Sequence, residues 1–115
     1  MFAPAEHMDI GAVAVKTQPR WNRTLTTVND AVVRLGVLEG DFHWHKHDEE
    51  DEFFFILEGR LDIELEDRMV TLHPQQGFTV PKGVMLFPHA RGRVVVLTVE
   101  KASLVPAGIR RWTTD

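Results

Sequence analysis

The sequence predicts an all-β domain, built as an antiparallel sandwich or barrel. Three observations carry this. From Ala31 to Glu100, short apolar or alternating stretches follow one another, each closed by a turn signal rich in Gly, Pro or Asp. Within them polarity repeats every second residue: "RLDIELE" sets Leu61, Ile63 and Leu65 against Asp62, Glu64 and Glu66. No window sustains the 3.6-residue apolar repeat of an amphipathic helix. A chain of 115 residues fits one domain spanning 1–115, with no room for a second core.

The elements follow in order. Residues 1–30 carry the least pattern, and "TQPRWNRTLTT" suits a turn of helix or an outer strand equally. "AVVRLGVL" (31–38) is β-branched and apolar, and Glu39–Gly40–Asp41 reads as a turn. "FHWHKH" (42–47) alternates like a strand. "EFFFILE" (52–58), closed by Gly59, reads as a strand buried on both faces. "RLDIELE" (60–66) connects through Asp67–Arg68 to "MVTL" (69–72). "HPQQG" (73–77) is a loop, "FTV" (78–80) a short strand and "PKG" (81–83) a turn. "VMLF" (84–87) ends at Pro88, and "RVVVLTVE" (93–100) is the strongest strand pattern. The stretches 1–30 and 101–115 read as extensions packed outside; the tail from Ala102 carries Pro106 and Gly108.

Composition narrows the function. A net charge of −4 and a pI near 5.8 argue against nucleic acid or an anionic membrane as partner. No apolar run approaches the ~18 residues that span a bilayer. Met1–Ile10, with Glu6, His7 and Asp9, lacks the apolar centre of a secretory signal. Without cysteine there is no disulfide framework and no thiol nucleophile. A cytoplasmic protein is the simplest expectation. Ser103 is the one serine and lies in the tail, which argues against a serine nucleophile.

The chemistry concentrates in "FHWHKHDEEDEFFF" (42–55). On a strand, His43, His45 and His47 share a face, and two such imidazoles can lean onto one ion. A carboxylate from the next strand, Asp51 or Glu52, would complete a set of two His and one acid with open coordination positions. The other acids read as a solvated turn, since adjacent carboxylates cannot all be buried. Phe42 and Trp44 alternate with the histidines and are expected to face away from them. A polar strand exposed to water is the plainer alternative.

These residues resemble the first signature of the cupin superfamily. His45-x-His47, four residues, Glu52, six residues and Gly59 match its spacing, and the match selects Glu52 over Asp51. Gly40 stands one residue nearer to His45 than in the family pattern. In detail the stretch resembles small single-domain conserved-barrel cupins of the mannose-6-phosphate-isomerase-like group, over about residues 31–100. The resemblance implies a double-stranded β-helix, the jelly-roll barrel. It also implies a metal centre, a small-molecule ligand or substrate and, in most cases, a homodimer. Trp44, Phe53 and Phe55 are the aromatics that would suit such a contact.

The second signature is partial. "GFTVPKGVMLF" supplies Pro81 and Gly83, but Gln75 stands at the early glycine and Leu86 at the usual fourth ligand. His45, His47 and Glu52 would then hold a divalent metal with water in the remaining positions, or His43 or His89 would compensate. Alternation places His89 on the opposite face. Phe54, Ile56 and Leu86 would line an apolar pocket. Fe, Mn, Ni, Zn and Cu are not distinguished by such a set. The resemblance leaves three functions open. One is a metal-dependent oxygenase or isomerase. The second is a binding module for a small apolar ligand, and the third is a degenerate, metal-free barrel acting as a dimer.

Overall fold

The computed structural model describes residues 1–102, so the tail expected to wrap the outside, with Ser103, Pro106 and Gly108, lies outside the described residues. One short helix, α1 (Ile10–Val15), precedes seven strands: β1 (Trp21–Val28), β2 (Ala31–Asp41), β3 (Glu52–Glu58), β4 (Leu61–Leu65), β5 (Met69–Leu72), β6 (Gly77–Val80) and β7 (Leu86–Lys101). All pairings are antiparallel. The strands run in the order β1-β2-β7-β3-β6, and β4, which carries β5, pairs with the first half of β7. The architecture is an antiparallel jelly-roll barrel, as the sequence predicted.

The expected strands 84–87 and 93–100 are instead one continuous strand. Pro88 does not break β7: a proline needs only to accept at its carbonyl, and that of Pro88 accepts from the Phe42 N–H at 3.1 Å. The strand bends farther on. Leu38 pairs with Val94 but Gly40 with Ala90, so Arg91–Arg93 bulge away from β2. Through that bend β7 serves β4 with one half, and β2 and β3 with the other.

The interior follows from alternation. Phe54 and Ile56 of β3, Leu61, Ile63 and Leu65 of β4, Val94 and Val96 of β7, with Leu38, Phe42, Leu72, Val80, Leu86 and Ala90, form one buried cluster. The expectation that Phe53–Phe55 are buried on both faces fails. Phe53 is 36% exposed and Phe54 fully buried, because the outer side of β3 is only partly covered.

A second cluster lies on the outer side. Ala14 of α1, with Phe2, Met8, Ile10 and Val13, packs on Leu25, Leu35, Val37 and Val95. Six residues make a marginal helix alone, and this packing, a cap and Arg93 hold it. Asp9 caps it by accepting from the Ala12 N–H at 3.1 Å. Arg93 donates to the Ala14 carbonyl at 2.8 Å and to Glu58 at 3.1 Å. The leading segment therefore packs outside, whereas β1, the reading left open for 17–27, joins the sheet as an edge.

Gly59, last residue of the histidine–glutamate spacing, has a structural reason. It turns β3 into β4 at φ +84°, and a Cβ there would stand 2.4 Å from the Arg93 carbonyl oxygen. Gly59→Ala is expected to cost about 2–4 kcal/mol, from left-handed strain plus the clash. Urea unfolding checks this; a loss below ~0.5 kcal/mol would mean that the turn adapts freely.

Candidate metal centre

The segment 42–47 is not a strand; only His45 forms a bridge, to Leu86. The Phe42 N–H bonds to Pro88, and His45 then exchanges both backbone hydrogen bonds with Leu86, at 3.0 and 2.8 Å. Three residues on one side thus advance against two on the other. That slip breaks the expected alternation. Phe42, expected to face away, is buried in the barrel interior, while Trp44 is 39% exposed. The three histidines nonetheless stay together: successive ring centroids lie 5.4 and 5.5 Å apart from His43 to His47. Asp48, Glu49 and Asp51 are exposed, as a solvated turn requires. The Asp51 carboxylate accepts from the Lys82 N–H at 2.9 Å.

Glu52 begins β3 on the parity of Phe54 and Ile56, and is 3% exposed. Its Oε1 lies 3.0 Å from Nε2 of His47. Directly across the ladder on β7 stands Glu100, also buried. The ligand atoms of His47, Glu52 and Glu100 all lie within 4.8 Å of one another. Glu100 in turn pairs with Arg34 of β2 at 2.5 Å, and Arg34 is 3% exposed.

Two carboxylates directly opposite in a ladder repel, and burial makes the repulsion worse. Arg34 offsets one of them. A cation among His47, Glu52 and Glu100 would offset the other. One imidazole nitrogen and two carboxylate oxygens are donors of the kind that divalent metals take, so the residues present fit such an ion.

His45 stands beside this group. Its Nδ1 lies 3.1 Å from the His43 carbonyl oxygen. A carbonyl can only accept, so Nδ1 carries the proton and Nε2 keeps its lone pair. Metal-ligating histidines commonly have their other nitrogen bonded this way. Burial pulls the His45 pKa below the ordinary imidazole value; the bond to the His43 carbonyl opposes this, and His47 nearby adds to the lowering. The lowering favours the neutral imidazole.

The remaining candidates are placed differently. The buried Nδ1 of His43 has no hydrogen-bond partner among the described residues. His89 faces outward: Nδ1 meets Asp41 and Nε2 meets Glu64, each at 3.0 Å, and its ring stacks on Phe87. With both nitrogens held by carboxylates, His89 does not join the interior group. Burial alone would lower its pKa, but the bonds to Asp41 and Glu64 prevail and raise it. Leu86, Phe54 and Ile56 are fully buried in the interior cluster.

Sequence reasoning missed Glu100 and Arg34. The signal was present: each is a charged residue on the buried parity of its strand, Glu100 after Val94, Val96 and Thr98, and Arg34 between Val32 and Gly36.

Comparison with known proteins adds the relatives. Residues 31–100 match the family described as Cupin domain. An uncharacterised Bacillus subtilis protein, YdbB, is 38% identical over 80 residues, 69% of this chain and 71% of that protein. A cupin-2 domain containing protein from Shewanella frigidimarina has a similar structure, with a TM-score of 0.80 and 29% identity over 83% of this chain and 94% of its own. Protein NMB1881 from Neisseria meningitidis shares the fold, with a TM-score of 0.76 and 21% identity over 84% of this chain and 100% of its own.

Proposed function

Because the chain belongs to the cupin family, we propose that it binds or acts on a small molecule inside its barrel, at one divalent cation held by His47, Glu52 and Glu100. The observation that carries this reading is the buried cross-strand pair Glu52–Glu100 with His47 in reach of both. His45, on the same wall, supplies a neutral Nε2. In this reading that atom is a further donor to the cation, as the H-x-H spacing implies, or a base toward the small molecule. When bound, the cation supplies Lewis-acid polarisation of an oxygen on the ligand. The chain's own residues do the rest. Glu52 and Glu100 provide negative charge, Phe54, Ile56 and Leu86 keep water from one side, and Leu86 leaves a coordination position without a protein donor. The narrower likeness to mannose-6-phosphate-isomerase-like barrels, and a homodimer, belong to this proposal.

A second reading has its own observation. His47 protonated against Glu52, with Arg34 against Glu100, would balance the interior charge without metal. Metal content separates the two. Protein purified without chelator should carry about one divalent ion per chain, lost in His45→Ala/His47→Ala. Equal background metal in both proteins would leave only the ion-paired reading.

A further inference from the structure

Arg34 is costly where it stands, in the wall of a barrel, and one carboxylate does not use its donors. A guanidinium offers five N–H groups in a planar fork. One of them, on Nη1, meets Glu100, while the buried Nε has no hydrogen-bond partner among the described residues. Its neighbours in the ladder are polar too. Thr24 of β1 lies directly opposite on one side and Thr98 of β7 on the other, both buried. Among the described residues Thr24 Oγ1 also lacks a hydrogen-bond partner, as does Oδ1 of buried Asn22, two residues earlier on the same face. Buried polar atoms are nearly always satisfied in a working protein. Two such oxygens beside an unsatisfied guanidinium nitrogen, among the described residues, mark a place that a polar ligand completes. Asn22 also lines a surface cleft of about 460 Å³ together with Lys16 and Arg23, which give its rim positive charge.

We propose that Arg34, with Thr24 and Asn22, is the anion subsite of this barrel and takes the carboxylate of a small hydroxy acid. The guanidinium donates to the carboxylate oxygens through its fork. The Thr24 hydroxyl and the Asn22 amide oxygen serve the ligand's hydroxyl groups. This rests on the proposed metal centre in one respect: Glu100 is shared. While Glu100 holds Arg34 it competes with the incoming carboxylate; when Glu100 turns to a cation, Arg34 is released. Cation and anion should therefore strengthen each other's binding, and by the same factor.

Glycolate is the probe, with ethylene glycol as its uncharged counterpart, and titration calorimetry the measurement. Zinc-loaded wild type is expected to bind glycolate roughly ten-fold or more tighter than ethylene glycol, the scale of one charge-assisted hydrogen bond. Arg34→Lys keeps a positive charge for Glu100 and should still fold. It is expected to hold its zinc yet bind glycolate about ten-fold more weakly. Thr24→Val should fall between the two. Glycolate affinity unchanged by Arg34→Lys would overturn the subsite and leave the metal centre standing. Metal-free Glu100→Gln makes the converse separation. With no competing carboxylate it should bind glycolate at least about ten-fold tighter than metal-free wild type. If it does so while wild type takes up no zinc, the metal centre falls and the anion subsite stands.

Discussion

Zinc at about a hundred-fold excess over its dissociation constant is expected to stabilise the folded chain by about 2.7 kcal/mol. For a domain of 115 residues this is a rise in Tm of roughly 10–15 °C. The stabilisation arises because the unfolded chain offers no assembled site, so binding free energy becomes folding free energy. Glu52→Gln should abolish most of the rise, since a neutral amide removes charge from the donor set. The same substitution should leave metal-free Tm nearly unchanged or higher, because it relieves repulsion between two buried carboxylates. A calorimetric scan of both proteins, with zinc and with chelator, checks the two halves together. Equal zinc-induced rises in wild type and Glu52→Gln would place the ion elsewhere, for example on the exposed acids Asp48 and Glu49.

Arg34→Met is expected to destabilise the metal-free protein by about 3–5 kcal/mol. The loss comes mainly from leaving Glu100 buried without its counter-charge, 5% exposed and facing Glu52 across the ladder. The double substitution Arg34→Met/Glu100→Leu should recover most of that loss, because a pair of apolar side chains replaces the ion pair without stranding a charge. Denaturant unfolding of the single and double variants measures the coupling. Additive losses would show that the pair does not act as one unit.

Much of this is legible in the sequence alone. Alternation in "RLDIELE" placed Leu61, Ile63 and Leu65 inward, and the spacing from His45 to Gly59 chose Glu52, which is buried, over Asp51, which is exposed. What the sequence hid has physical causes. The slip between the Phe42–Pro88 and His45–Leu86 hydrogen bonds changes which residues face inward, and no local propensity marks it. That put Phe42 inside against expectation. α1 was hidden because its stability comes from packing on the sheet and from Arg93, 79 residues away in sequence from Ala14, rather than from its own six residues. Glu100 and Arg34 stood on buried parities in plain view. A search for one-strand spacings passes over a site assembled across three strands.

His47, Glu52 and Glu100 are proposed to hold one cation. Crystals grown with zinc and measured at its absorption edge test this most directly. One strong anomalous peak is expected inside the barrel, about 2.0–2.2 Å from a nitrogen of His47 and from carboxylate oxygens of both Glu52 and Glu100. A barrel interior with no peak, His47 still paired with Glu52 and Arg34 still paired with Glu100, would contradict it.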